Sequence, residues 1–154
     1  LPQLRDAADR ALFDSRRAIA ALSSWTAQPL ETDLTKATED VAQPADLQVK
    51  VAMGDALGGL DSSGRERLIR IAREAVANAI RHGQAKHVTV EVSSDGLSHL
   101  CVQDDGIGFD SNDPECSTGG FGLLSMRESA ASIGASFSVR SFPGRGTTVE
   151  VAWR

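Results

Sequence analysis

The chain has 154 residues, of which 41% are hydrophobic and 24% are charged, and its formal net charge is −5. This size and composition predict one ordinary globular domain with at most a short appendage. Because nucleic acid is bound by clustered Lys and Arg, the acidic balance and the three lysines argue against nucleic acid as a partner.

The sequence also indicates the cellular compartment. The longest run without a charged side chain, residues 18–30, contains several polar residues and a proline, so we expect no membrane span and no membrane contact. Residues 1–17 mix Asp and Arg and lack the apolar core of a secretion signal. Two cysteines, Cys101 and Cys116, fit reduced thiols better than a disulfide framework. We therefore expect a cytoplasmic chain, or the cytoplasmic portion of a larger, membrane-anchored protein.

Residues 1–22 are predicted to form a helix of the coiled-coil type, because small and apolar residues recur at alternating spacings of four and three. Small polar residues and Pro29 then predict a linker, with a domain boundary between residues 1–29 and 30–154. A short helix is expected over residues 31–43, ended by Pro44. A half-buried strand is expected over residues 47–53, where apolar and polar residues alternate.

The longest predicted helix starts at the capping cluster of residues 61–63 and stops at Gly83, a residue type that often follows a helix. Its core stripe is Leu68, Ala72, Ala75, Val76 and Ala79. Alternating valines predict a strand over residues 88–92, and Leu100, Val102 and Asp104 share one face of the next strand. Asp95 and Gly96 between them are typical of a hairpin turn.

A polar stretch at residues 110–118 precedes a helix predicted over residues 120–133. Two further strands, around residues 137–141 and 147–153, are joined by a turn rich in Gly and Pro. Helices and strands thus interleave, with antiparallel hairpins among them. The pattern predicts an α/β (α+β) two-layer sandwich, in which helices cover one mixed, largely antiparallel sheet.

Three constellations of residues suggest chemistry. The first lies on the long helix, where Glu74, Asn78 and His82 occur at intervals of four and therefore line one face, with Arg81 beside them. A carboxylate, an amide oxygen and a cation are thus presented together. The alternative interpretation is an ordinary solvated helix face.

The second constellation is residues 104–108, DDGIG, at the end of a buried strand. Asp104 has the parity of the buried positions, so its carboxylate faces the core side and needs a hydrogen-bond donor, such as the exocyclic amine of a nucleobase. Gly106 and Gly108 would let the backbone approach a flat ring closely. The alternative is a plain turn.

The third constellation is residues 119–123, GGFGL, which open a helix. Glycines before a helix N-terminus leave free N–H groups at the positive end of the helix dipole, where anions bind. The alternative is a flexible loop. A Rossmann arrangement is excluded because residues 110–118 separate the strand from the glycines. A P-loop is excluded as well, because the Walker A lysine is absent.

In this order, residues 74–82, 104–108 and 120–128 resemble the N, G1 and G2 boxes of the Bergerat-fold (GHKL) ATP-binding domain, and residues 144–147 resemble its last turn. The residues in these motifs most resemble those of bacterial sensor histidine kinases that pair with NarL-type response regulators. The resemblance covers residues 31–154. It implies the ATP-binding catalytic domain of a two-component histidine kinase, preceded over residues 1–29 by the second helix of the dimerisation and phosphoacceptor hairpin.

The resemblance also implies roles for individual residues. Asp104 would accept a hydrogen bond from the adenine amine, Asn78 would bind Mg²⁺, and Glu74 would orient or deprotonate the acceptor imidazole. Residues 110–118 would form a lid. The remaining positions implied to bind ATP are Arg81, His82, Gly106, Gly108, Gly120, Gly122, Leu123 and Thr147.

No histidine precedes His82, although the family phosphorylates a histidine on the first helix of the hairpin. We therefore expect a C-terminal piece of a longer, homodimeric kinase. It would phosphorylate a hairpin histidine of the same or the partner protomer, for relay to a NarL-type regulator. A second departure is Ser129, where the subfamily has arginine.

Two other functions remain open from the sequence. A Bergerat-fold serine kinase of the anti-sigma-factor type has a similar residue pattern, but the coiled-coil helix argues against it. A non-catalytic, nucleotide-sensing dimerisation module is the other possibility, and the presence of Glu74 and Asn78 argues against that one.

Overall fold

The computed structural model describes residues 29–54, 60–110 and 120–154. The helix, linker and boundary predicted for residues 1–29 lie outside the described residues, apart from Pro29, and so do Cys116 and almost all of the predicted lid. The elements within the described ranges are α1 (Leu30–Ala42), β1 (Gln48–Met53), α2 (Ser62–Asn78), β2 (His87–Ser94), β3 (Ser98–Asp104), α3 (Phe121–Ala131), β4 (Ser136–Ser141) and β5 (Thr147–Trp153).

The five strands form one sheet in the order β1-β2-β3-β5-β4. β1 pairs with β2 in parallel, and the other three pairings are antiparallel. Alternate residues of β2 and β3 are buried beneath the helices, while their neighbours lie on the opposite face. The predicted sandwich with a mixed, largely antiparallel sheet is therefore confirmed. Among the described helices, none has the length and hydropathy needed to cross a bilayer.

Helix α2, with 17 residues, is the longest of the described helices that cover the sheet. Its N-cap is Asp61, whose side chain accepts a hydrogen bond from the Gly64 N–H at 2.7 Å. The whole predicted core stripe is buried, and Ile71 joins it. Since each fully buried Leu, Ile or Val side chain contributes about 1.5–3 kcal/mol, Leu68, Ile71 and Val76 hold α2 firmly against the sheet. The face of α2 that bears Glu74 and Asn78 is thereby given a fixed orientation.

The end of this helix differs from the prediction. Regular α-helical bonding ends at Asn78, and one π-helical turn, Ala79–Gly83, follows. The left-handed residue after it is Gln84, with φ of 50°, so Gly83 is not the capping residue that the sequence suggested. The Gly83 carbonyl instead accepts a hydrogen bond from the Ile107 N–H at 2.7 Å. The capping rule failed because a contact with a distant loop decides the backbone conformation here.

The structure also tests the predicted hairpin turn and the predicted end of α1. The hairpin at Asp95 and Gly96 is confirmed, with Gly96 at φ of 95°. Pro44 does not end α1 directly, because it lies in a following 3-10 turn, Gln43–Ala45. The Arg127 guanidinium lies 5.8 Å from the centre of the Phe137 ring, a cation–π contact between α3 and β4.

Candidate functional site

A cleft of about 530 Å³ opens between α2, the ends of β3 and β5, and the N-terminus of α3. Three segments that are far apart in the sequence form its walls, as the resemblance of the three constellations to one ATP-binding domain implies. All predicted site residues except Gly106 line the cleft. They are Glu74, Asn78, Arg81, His82, Asp104, Gly108, Gly120, Gly122, Leu123 and Thr147.

Asp104 lies at the end of β3, beside apolar wall residues that include Val102 and Val149. Its Oδ1 atom accepts hydrogen bonds from the N–H groups of Gly106 at 2.8 Å and Thr147 at 3.2 Å. Within the described ranges, its Oδ2 atom accepts none. Burial raises the pKa of Asp104 above its ordinary value, while the two backbone N–H groups oppose that shift. The carboxylate is therefore held by one oxygen and can offer the other to a ligand.

Gly106 supports Asp104 from behind and does not line the cleft. A Cβ at this position would overlap the Gly83 carbonyl and lie 2.8 Å from Asp104 Oδ1. Gly146 has φ of 74°, and a Cβ there would overlap the Asp104 carbonyl. Only residues without a side chain let these three loops meet around the carboxylate.

At the other end of the cleft, Arg81 bridges the two polar residues of α2. Its Nη2 atom lies 2.8 Å from Glu74 Oε1 and 3.3 Å from Asn78 Oδ1. Gly122 of α3 packs against the same pair, since a Cβ there would lie 2.5 Å from Glu74 Oε1 and 3.2 Å from Asn78 Nδ2. The predicted carboxylate, amide and cation therefore form one hydrogen-bonded group at the start of α3.

The N-terminus of α3 faces the cleft through Gly120, Phe121, Gly122 and Leu123. The first N–H groups of a helix have no partner within it, so they can donate to an anion. Leu123 departs from this expectation, because its N–H already donates to the Gly120 carbonyl at 3.1 Å. Phe121 is 93% exposed, a position at the mouth of the cleft for which the sequence offered no signal.

Sequence reasoning missed Asp105, the second residue of the DDGIG motif. Its Oδ1 atom accepts hydrogen bonds from the N–H groups of Lys86 at 2.8 Å and His87 at 2.9 Å, and its Oδ2 atom lies 2.7 Å from His87 Nδ1. These bonds lower the pKa of Asp105 from 3.8 to about 2. Asp105 thus ties the start of β2 to the end of β3, directly beside Asp104.

This clamp predicts a pH dependence of stability. A carboxyl group whose pKa falls on folding stabilises the fold above its unfolded pKa, near 3.8, and that stabilisation is lost as the pH falls toward about 2. We expect Asp105→Asn to lower the free energy of unfolding at pH 6, and the difference from wild type to shrink between pH 4 and pH 2. Urea unfolding at stepped pH measures this. The control is Asp40→Asn, an exposed carboxylate on α1. A difference that stays constant over that range contradicts the prediction.

Residues 63–154 match the family described as histidine kinase-, DNA gyrase B-, and HSP90-like ATPase. The sensor protein VraS of Staphylococcus aureus (strain COL) is 42% identical over 87 residues, which are 56% of this chain and 24% of VraS. VraS of Staphylococcus epidermidis is 41% identical over the same length. The matched segment therefore spans about a quarter of these curated relatives.

Solved structures show the same fold. The histidine kinase domain of the Erythrobacter litoralis EL346 blue-light activated histidine kinase has a TM-score of 0.67 and 20% identity, over 81% of this chain and 60% of that one. The mycobacterial sensor histidine kinase MprB has a TM-score of 0.63 and 18% identity, over 79% of this chain and 91% of that one. At these identities the likeness concerns the fold alone.

Proposed function

Because the chain belongs to the family of histidine kinase-, DNA gyrase B- and HSP90-like ATPases, we propose that it is the ATP-binding catalytic domain of a two-component sensor histidine kinase. One observation carries the proposal. A carboxylate with one oxygen left for a ligand, Asp104, lies at one end of the cleft, and a helix N-terminus with Glu74 and Asn78 lies at the other. This polarity suits a purine with a phosphate chain.

The base would bind at the Asp104 end. The exocyclic amine of adenine donates to Asp104 Oδ2, while the ring contacts apolar wall residues such as Ala79, Val102 and Val149. Guanine carries a carbonyl at that position, and two acceptors facing each other leave a buried polar group without a partner. The site therefore selects adenine.

The phosphates would bind at the α3 end, where the N–H groups of Gly120 and Gly122, and the side chains of Arg81 and His82, supply donors. The residues present fit Mg²⁺, which prefers hard oxygen ligands and takes most of them from phosphates and water. Asn78 Oδ1 would be the ligand from the chain. The ion would neutralise phosphate charge when bound.

Glu74 would act on the phosphoacceptor. In the structure its carboxylate pairs with Arg81. Phosphate anions in the cleft compete for that guanidinium, which leaves Glu74 Oε1 to orient the acceptor imidazole or take its proton. Because phosphoryl transfer passes through a loose transition state, positioning of the two partners accounts for much of the rate.

The acceptor histidine would belong to a dimerisation hairpin outside residues 30–154, in the same or the partner protomer. The phosphoryl group would then pass to the aspartate of a NarL-type response regulator. We place the domain in the cytoplasmic portion of a homodimeric sensor.

Calorimetric titration of the chain with ATP and GTP, each with and without Mg²⁺, tests the binding step. We expect micromolar affinity for ATP and weaker binding of GTP. Equal binding of the two nucleotides contradicts the adenine assignment, and binding of neither contradicts the proposal as a whole.

Incubation with labelled ATP tests the transfer step. The chain alone should acquire no acid-labile phosphate, whereas a separately purified histidine-bearing hairpin should acquire it when the chain is added. Strong self-labelling of the chain, or transfer only to a serine of an anti-sigma antagonist, contradicts this assignment.

A further inference from the structure

The guanidinium of Arg81 lies at the α3 end of the cleft, in contact with the two side chains that the proposed function assigns to Mg²⁺ and to the acceptor imidazole. Its Nη2 atom lies 2.8 Å from Glu74 Oε1 and 3.3 Å from Asn78 Oδ1, and its Nε atom donates to the Ala77 carbonyl at 3.4 Å. A positive charge is therefore already present at both oxygens when the cleft holds no nucleotide.

Arg81 is the member of this group that can leave. Gly122 packs against the other two side chains, since a Cβ there would lie 2.5 Å from Glu74 Oε1 and 3.3 Å from Asn78 Oδ1, so neither has room to turn toward α3. The Arg81 side chain is 55% exposed, against 31% for Glu74. An exposed ion pair contributes little to stability, so a phosphate chain with several negative charges can take the guanidinium from it.

We propose that Arg81 is a built-in counter-cation, which opposes Mg²⁺ binding at Asn78 in the nucleotide-free chain and releases the site only when a phosphate chain enters the cleft. The inference rests on the proposed function. An amide oxygen has two lone pairs, so by valence alone the Asn78 oxygen can accept from Arg81 and bind a metal ion at once. Repulsion between a guanidinium and a doubly charged ion at so short a distance opposes that combination.

This contact sets an order of events in the cleft. Without nucleotide, the two oxygens already face a positive charge, so the site holds Mg²⁺ weakly. When phosphate draws Arg81 away, the same movement frees the Asn78 oxygen and the Glu74 carboxylate. The metal ligand and the proton acceptor thus become available together, and only in a cleft that holds a phosphate chain.

Titration with Mg²⁺ in the absence of nucleotide tests the block, with the amide signals of Asn78 and Gly122 in NMR spectra reporting on this site. We expect Arg81→Gln to bind Mg²⁺ about 3- to 30-fold more tightly than wild type, the effect of removing one charge a few ångströms from a divalent ion in water with salt. When Glu74→Gln and Asn78→Ala are also present, Arg81→Gln should leave Mg²⁺ binding unchanged. Wild-type affinity in Arg81→Gln overturns the inference, and so does a gain that persists without the two side chains.

Arg73→Gln is the matched control, because it removes the same charge from an exposed arginine of α2 that precedes Glu74 in the sequence and does not line the cleft. It should bind Mg²⁺ as wild type does. A gain equal to that of Arg81→Gln would indicate a general effect of net charge and would overturn the inference. Thermal unfolding of each variant verifies that it is folded.

Release by phosphate is tested separately, through the Arg81 Nε signal in metal-free solution, assigned by its loss in Arg81→Gln. ATP should shift this signal, whereas saturating adenosine, which has no phosphate and fills only the Asp104 end of the cleft, should leave it in place. An equal shift with both ligands, or no shift with ATP bound, overturns the inference. Failure of the proposed function looks different, because calorimetry would then find no binding of ATP to wild type.

Discussion

Glu74→Gln is expected to slow phosphoryl transfer to a histidine-bearing hairpin by about 10²- to 10⁴-fold, the usual contribution of a general acid or base. The amide has the size of the carboxylate, so it fits against Gly122, but it cannot take a proton from imidazole. ATP affinity should stay within a few-fold of wild type, because Glu74 carries no charge that attracts phosphate. Single-turnover transfer with labelled ATP measures the rate, and calorimetry measures the affinity.

The matched control is Glu66→Gln, at an exposed carboxylate on the same helix that does not line the cleft. It should transfer at the wild-type rate. Transfer by Glu74→Gln at that rate would falsify the role given to Glu74. A parallel loss of ATP binding would show instead that its pairing with Arg81 serves nucleotide binding.

Asp104→Asn is expected to weaken ATP binding by about 10- to 150-fold, the loss of one hydrogen bond to a charged group. Oδ1 is held as an acceptor by the N–H groups of Gly106 and Thr147, so the asparagine oxygen takes that place. The amide NH₂ group then meets the adenine amine, donor against donor. The affinity of Asp95→Asn, at an exposed carboxylate in the distant hairpin, should equal that of wild type.

Although Asp104→Asn should weaken ATP binding, it should not lower the free energy of unfolding. Burial raises the pKa of Asp104, so its ionised form is less favourable in the folded than in the unfolded chain, and this penalty grows as the pH rises above 3.8. At pH 7 the neutral amide removes the penalty and keeps both backbone hydrogen bonds. We expect the free energy of unfolding to equal or exceed that of wild type. Weak binding together with a destabilised fold would attribute the affinity loss to disruption of the domain.

Periodicity and local chemistry were sufficient to predict the described elements to within a few residues. The valines of β2 alternate strictly, and the apolar stripe of α2 repeats at helical spacing, so burial followed directly from the sequence. Asp61 was identified as part of a capping cluster from the residue types at positions 61–63, and the partner that the structure gives it, Gly64, is only three residues away. Each of these signals lies within one element, where the period of the backbone determines which side chains share a face.

The candidate site could be predicted only in part. Glu74, Asn78 and Arg81 lie on one helix, so their proximity was expected, although their hydrogen bonds were not. Gly106 was predicted to contact a ligand, and the structure places it behind Asp104 instead. Its position depends on close packing against the Gly83 carbonyl, a contact that the residues near Gly106 in the sequence do not predict.

The sequence by itself therefore determined the layers of the fold and the order of its elements, because helical and strand periods and capping act over a few residues. That three distant motifs gather at one cleft was expected only from their resemblance to a known family. The tertiary structure alone decided how those groups are bonded. Thr147 donates to Asp104 across 43 positions, and Phe109 donates to Ser141 across 32. Whether a buried oxygen is free for a ligand depends on which distant backbone groups reach it, and only packing of the whole domain sets that.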